Sequence, residues 1–284
     1  VSKQRAPADL AHLARKVRRL SLIMIHGAGM GHPGGALSVV ELLVALYFRV
    51  MRIAPARPTW RERDRLVFSK GHACAALYAV LALRGYFPES DLKELGRIDS
   101  HLQSHPDKNK TPGLDASSGA LGQGLSLAVG MALAARMRGR DYTVYALLGD
   151  GECDCGQIWE AAMAASHLAL GNLVAVVDAN RMQAKGTCRE IMAIEPLAEK
   201  WAAFRWNVTE TDGHDLDAVT RTLTSARERA GRTGRPVAVL AHTVKGRGVS
   251  FMENVTRWHN APPTDQELEA ALKELDELRE LGDA

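Results

Sequence analysis

Cysteine is scarce in this chain, with Cys74, Cys153, Cys155 and Cys188 the only four among 284 residues. That number is too small for a disulfide framework and points to a reducing compartment. Long apolar runs are missing too. No stretch approaches the roughly 20 residues that a bilayer-spanning helix needs, and the segment 1–9 has no apolar core of signal-peptide type. The expectation is a soluble cytoplasmic protein without a membrane partner. Nor does one sign of charge dominate, since 36 Lys and Arg face 33 Asp and Glu for a formal charge of +3. So small and scattered an excess gives no ground for nucleic-acid binding, although a slight basic bias suits an anionic ligand such as a sugar phosphate. There is no internal repeat and no low-complexity tract.

What remains is an ordinary globular composition, 46% hydrophobic and 24% charged, enough for one large α/β domain or two small ones. Apolar residues at Leu10, Leu13, Val17, Leu20, Met24 and Ala28 recur at helical spacing, and this helix ends in the glycine-rich segment Gly27–Gly35. Ser38 followed by Glu41 reads as a capping box ahead of a second helix over 39–50. Residues 65–68 read as a short strand and 72–84 as a helix. The stretch 96–124, rich in Pro, Gly, Ser, His and Asp, is too long for a plain connection, which favours a functional loop. Residues 142–148 and 173–177 are almost continuously apolar and rich in Val and Leu, as central parallel strands covered on both faces are. A helix over 157–170 joins them in a right-handed βαβ unit. Further strands are expected at 237–240 and 206–210, and helices at 216–230 and 265–281.

The first of the two apolar strands runs into Gly149-Asp150-Gly151, and the second ends in Asp178-Ala179-Asn180. Neighbouring parallel strands lie about 4.8 Å apart, so Asp150 and Asn180 can converge at the carboxyl edge of the sheet. A carboxylate and an amide oxygen are hard ligands suited to Mg²⁺ or Ca²⁺, and Mg²⁺ completes its shell with water and phosphate oxygens. The remaining ligands are therefore expected to be phosphates.

Gly-Asp-Gly followed after 28 residues by Asn resembles the signature of thiamine-diphosphate enzymes. Gly31-His32-Pro33-Gly34-Gly35, Ser69-Lys70-Gly71-His72, Ser104-His105-Pro106-Asp107, Gly119-Ala120-Leu121-Gly122-Gln123-Gly124 and Trp258-His259 resemble, in that order, the motifs of the amino-terminal domain of transketolase. The likeness runs from about Arg15 to Pro262, and 212–215 and 245–252 also look like family segments. It implies a single diphosphate-binding domain over 1–284, a parallel sheet flanked by helices. The segment 255–284 would lead to where a pyrimidine-binding domain follows in longer members.

The resemblance also implies roles. Asp150, Asn180 and the Met182 carbonyl would bind Mg²⁺, with Ca²⁺ or Mn²⁺ able to substitute, while Gly151 and Asn180 also touch the diphosphate. Gly119, Ala120 and Leu121 would line thiamine diphosphate, with Leu121 against its rings. His32, His72, His105 and His259 would surround the reactive carbon: His259 and His32 for proton transfer with substrate oxygens, His72 mainly for the cofactor, His105 for a substrate hydroxyl. In the family a glutamate on the pyrimidine-binding domain activates the cofactor, and residues there bind the sugar's phosphate. Because the chain ends at Ala284, a separate second subunit is expected, in an α2β2 assembly that transfers a two-carbon ketol unit between sugar phosphates or modified sugars.

One departure stands out: the family glutamate before Gly156 is Cys155 here, a weak donor in place of a carboxylate, with Asp154 one residue away. Several false signals are set aside. Gly29 to Gly34 satisfies a dinucleotide pattern but follows a charged helix rather than a strand. His101 and His105 have the spacing of a helical metal pair, which Pro106 argues against. Cys153 and Cys155 lack the second pair of a zinc set. His26 and His167 read as packed or partly exposed, and Met131 and Met163 as core filler. Another thiamine-diphosphate reaction and a non-catalytic cofactor-binding paralogue stand as alternatives.

Overall fold

A computed structural model describes residues 7–282; the expectations that reach into 1–6 and 283–284 lie outside the described residues. The elements in chain order are α1 (Pro7–Ala28), α2 (Pro33–Ser38), α3 (Val40–Ala45), β1 (Arg65–Phe68), α4 (Cys74–Arg84), α5 (Gln123–Met137), β2 (Val144–Gly149), α6 (Gly156–His167), β3 (Leu173–Ala179), α7 (Cys188–Ile191), α8 (Leu197–Ala203), β4 (Asn207–Asp212), α9 (Leu216–Thr233), β5 (Val237–His242) and α10 (Asp265–Gly282).

The strands form one sheet in the order β1-β2-β3-β5-β4, parallel at every pairing. Alternate residues feed opposite faces, as the pleat requires. Tyr145, Leu147, Val174, Val176, Val237 and Val239 join one core with residues of α1, α3, α4 and α9. Val144, Ala146, Leu148, Ala175 and Val177 join another with α5, α6 and α8. This double burial is why the strands read as unbroken apolar runs rather than as alternation. A smaller cluster of Leu22, Leu37, Val249, Met252, Trp258, Ala271 and Leu275 fastens α10 to α1 and α2, which brings the segment before α10 back over the carboxyl edge.

Two expectations fail. Ser38 does not cap a helix: its hydroxyl is buried and donates to Gly35 O at 3.1 Å and to Asp178 Oδ2 at 2.7 Å. Glu41 is turned to the Arg18 guanidinium at 2.7 Å instead. A buried carboxylate outcompetes a capping-box geometry because α3 is packed on all sides and its end is not open to solvent. Met163 is 55% exposed and so is not core filler, whereas Met131 packs partly buried against the second core.

Candidate functional site

β2 and β3 lie in register with Gly149 opposite Asp178, so the residues that follow them emerge side by side at the carboxyl edge. Asp150 Oδ1 accepts from Gly151 N at 2.8 Å, and Oδ2 accepts from Arg181 N. Arg181 sits at φ +61°, a left-handed conformation that a non-glycine residue adopts only when its surroundings impose it. Its amide, held by Asp150, supplies that constraint. Asn180 Oδ1 accepts from Met182 N at 3.0 Å, while Nδ2 donates to Asp178 Oδ2 at 3.0 Å. Asp178 is wholly buried and also accepts from Lys70, Ser38 and Thr243. Burial alone would raise the Asp178 carboxyl, but the Lys70 charge and these hydrogen bonds outweigh it and hold it below its ordinary value. A carboxylate that only accepts fixes which end of the Asn180 amide faces it.

The neighbouring Asp150 is shifted the other way, to about 6, by burial and by the Asp178 charge. Among the described residues no basic side chain forms an ion pair with it. A buried carboxylate without a cationic partner, next to an amide oxygen, fits a hard divalent cation. No cluster of three or more His, Cys, Asp or Glu among the described residues is arranged to cage a metal, so a cation here draws its other ligands from backbone oxygens and from whatever binds beside it.

A cavity of about 170 Å³ adjoins this pair, lined by Asp150, Gly151, Asn180 and Met182 together with Lys245, His259, His72 and Leu121. A Cβ on Gly151 would meet Gln183 Cγ at 2.8 Å, so only glycine leaves the backbone accessible there. A second cavity of about 200 Å³ is lined by His32, His72 and His105 with Ile25, Met30 and Leu95. His72 belongs to both walls. The imidazoles are close: ring centroids lie 5.2 Å apart for His32 and His72, 5.4 Å for His32 and His259, 5.5 Å for His72 and His259, and 6.4 Å for His32 and His105.

Burial and nearby positive charge keep His32, His72 and His259 neutral. Burial, His105 and Lys245 lower His32 to about 4. Burial, Lys245, His32 and Lys70 lower His259 to about 4. His72 lies well below its usual value, chiefly through burial and Lys70. A neutral imidazole donates at one nitrogen and accepts at the other, so each ring can give one hydrogen bond and take another. The buried Lys245 donates to Gln183 O and contacts His259 Nδ1, both at 2.9 Å. Burial and Lys70 lower this ammonium to about 8, against the opposing pull of Asp150 and Asp178.

The structure thus gathers Asp150, Gly151, Asn180, Met182, Leu121, His72 and His259 around one cavity and places His32 and His105 around the adjoining one. Gly119 and Ala120 line neither. Gly119, at φ +152°, instead lets the loop pass behind His105, whose Cδ2 would lie 3.2 Å from a Cβ there. Glu152 ties this loop to the Gly149 turn by accepting from Gly122 N at 2.8 Å, Gly149 N at 3.1 Å and the Ser69 hydroxyl. Asp154 faces Gln183 Nε2 at 2.7 Å, and Cys155 packs against Gly122. His101 stands against Phe87 and Asp91. Lys70, Lys245 and Asp178 received no role from the sequence. Lysine is seldom buried, and the only available signal was its recurrence just after the carboxyl ends of β1 and β5.

A parallel α/β domain that sets a carboxylate and an amide on adjacent strand ends, beneath a cavity ringed by imidazoles, is of the thiamine-diphosphate-binding class. The chain belongs to the transketolase family: residues 10–276 match the family described as "Transketolase, thiamine diphosphate binding domain". It is 49% identical over 269 residues to the 6-deoxy-6-sulfo-D-fructose transketolase subunit SqwG of Clostridium sp. (strain MSTE9), covering 94% of this chain and 96% of that one. It is 42% identical over 264 residues to an apulose-4-phosphate transketolase subunit of Phocaeicola vulgatus, covering 93% and 92%. Among solved structures, transketolase from Campylobacter jejuni superposes with a TM-score of 0.88 at 30% identity, over 96% of this chain and 43% of that one. The chain therefore spans about two fifths of that solved transketolase, but nearly the whole of the two subunits. Among the described residues no helix is long and apolar enough to cross a membrane.

Proposed function

We propose that this chain is the diphosphate-binding half of a two-subunit transketolase, transferring a two-carbon ketol unit from a ketose donor to an aldose acceptor once a second subunit supplies the pyrimidine-binding domain. The observation that carries the reading is the ring of neutral imidazoles over the Asp150 and Asn180 pair. Asp150, Asn180 and the Met182 carbonyl hold Mg²⁺, for which Ca²⁺ or Mn²⁺ can substitute, and Gly151 and Asn180 contact the diphosphate. Bound there, thiamine diphosphate supplies a carbanion nucleophile and then an electron sink. The chain's own residues do the rest. Lys245 adds positive charge to the cavity, Leu121 gives an apolar wall, and His72 faces the cofactor. His32 and His259 exchange protons with substrate oxygens, and His105 hydrogen-bonds a substrate hydroxyl.

Two relatives of comparable length are named as subunits, which supports a partner chain, and we infer an α2β2 complex working in the cytoplasm. Their names carry a sulfonated or phosphorylated sugar. We therefore infer a ketose donor with a terminal anion, recognised largely by the partner. The test is calorimetric titration of thiamine diphosphate with Mg²⁺ into the chain and its partner, compared with Asp150→Ala. Metal-dependent binding that disappears in the variant supports the site. Absence of binding in a verified folded complex overturns the cofactor assignment.

A further inference from the structure

The feature left without a role is the contact between Lys245 and His259. Lys245 is 2% exposed, and its stem runs past Gly34, where a Cβ would lie 3.1 Å from Lys245 Cγ and 3.0 Å from Trp258 O. The glycine keeps that channel open. The ammonium is thereby delivered to two acceptors, the Gln183 carbonyl and His259 Nδ1, each at 2.9 Å. An ammonium has three donors and no lone pair. Whatever it touches must accept. His259 is neutral, so a ring nitrogen that accepts leaves the single ring proton on the other nitrogen.

We propose that Lys245 is a positioning residue that locks His259 in the tautomer protonated at Nε2, so that His259 meets substrate as a hydrogen-bond donor rather than as a base. With Nδ1 engaged, Nε2 is the ring nitrogen left for the cavity that His259 lines. The division of labour among the imidazoles follows. His32 has no comparable ammonium bonded to its ring among the described residues, so its ring stays free to accept the proton that His259 cannot. Within the proposed ketol transfer, the exchange at His259 therefore begins with donation from Nε2 and the exchange at His32 with acceptance.

The lock is tested by nitrogen-15 NMR of the full chain, with the His259 signals assigned from the His259→Gln spectrum. A single tautomer protonated at Nε2 is expected in the wild type, and Lys245→Met is expected to turn it into a mixture, its two ring-nitrogen shifts converging. Lys245→Arg, which keeps a cationic donor, should retain the single tautomer. A wild-type ring protonated at Nδ1, or a Lys245→Met spectrum unchanged from wild type, overturns the proposal. The wild-type spectrum decides even if Lys245→Met fails to fold. The catalytic arm rests on the proposed ketol transfer. In the complex, Lys245→Met should lower kcat about 100-fold with KM shifted less than about threefold. A locked tautomer in a complex that transfers no ketol unit would sink the transketolase reading and leave the lock standing.

Discussion

Replacing Lys70 by methionine isolates the buried pair beneath the site. Asp178 is fully buried, and Lys70 is the only cation paired with it among the described residues. Removing one partner of a buried ion pair costs about 3–5 kcal/mol, because the remaining charge is left uncompensated. The donors from Ser38, Thr243 and Asn180 stay in place, and hydrogen bonds to a charged group are worth about 1.5–3 kcal/mol each, which argues for the lower end. Methionine also fills the channel of the lysine stem without a large cavity. The expected loss is about 3 kcal/mol near neutral pH, equivalent to a fall of about 5 °C in midpoint for a chain of this length.

The pH dependence gives the reasoning a second check. In the wild type the Asp178 carboxyl is depressed, so its stabilisation is present above the unfolded value near 4 and is lost as pH falls through the lower folded one. In Lys70→Met burial prevails and the carboxyl rises, so the penalty is full at neutral pH and fades as the group protonates on acidification. Urea titrations of both proteins at pH 7.5 and pH 5 read this directly, with the gap between midpoints narrower at pH 5. A variant within 1 kcal/mol of wild type at pH 7.5, or a gap that widens in acid, would refute the argument.

Three other outcomes are expected. Gly246 sits at φ +83° with a Cβ position 2.3 Å from Met252 O, so Gly246→Ala should lower stability by about 2–4 kcal/mol, seen as a drop in thermal midpoint. His32, His72 and His259 are all depressed in the folded chain, so the unfolded state binds more protons between pH 6.5 and 4. Asp150, raised to about 6, takes up a proton in the folded chain below that pH and offsets part of this, so the cofactor-free chain should lose stability most clearly between about pH 7 and 6, and a flat urea midpoint there would count against the buried neutral imidazoles. Asp178→Ala removes the acceptor that orients the Asn180 amide and should weaken metal-dependent cofactor binding about tenfold or more by calorimetry, provided circular dichroism shows a native fold.

The strands were legible because each central one is covered on both faces, so that 144–148 and 173–177 are apolar throughout. The convergence of Asp150 and Asn180 then followed from strand spacing alone. α5 had no expectation attached to it. It opens on Gly122-Gln123-Gly124, carries Gly130, and is small and apolar around much of its circumference, so neither a cap nor a periodic stripe announces it. Ser38 misled for a different reason, since a Ser and a Glu three apart look alike whether they cap a helix or serve a buried aspartate and an arginine from distant parts of the chain. Burial of Lys70 and Lys245 is likewise set by tertiary packing, which residue spacing does not encode.

His72 forms part of two chambers at once, and this restricts how the family can diversify. A change at that ring alters both chambers together, so under the proposed function selection on substrate range cannot act there without disturbing cofactor retention. Met30, Leu95 and Ile25 touch only the second chamber and carry no polar duty. These are the positions at which an engineer can reshape the second chamber, which the proposed function gives to the sugar, while the shared partition stays constant.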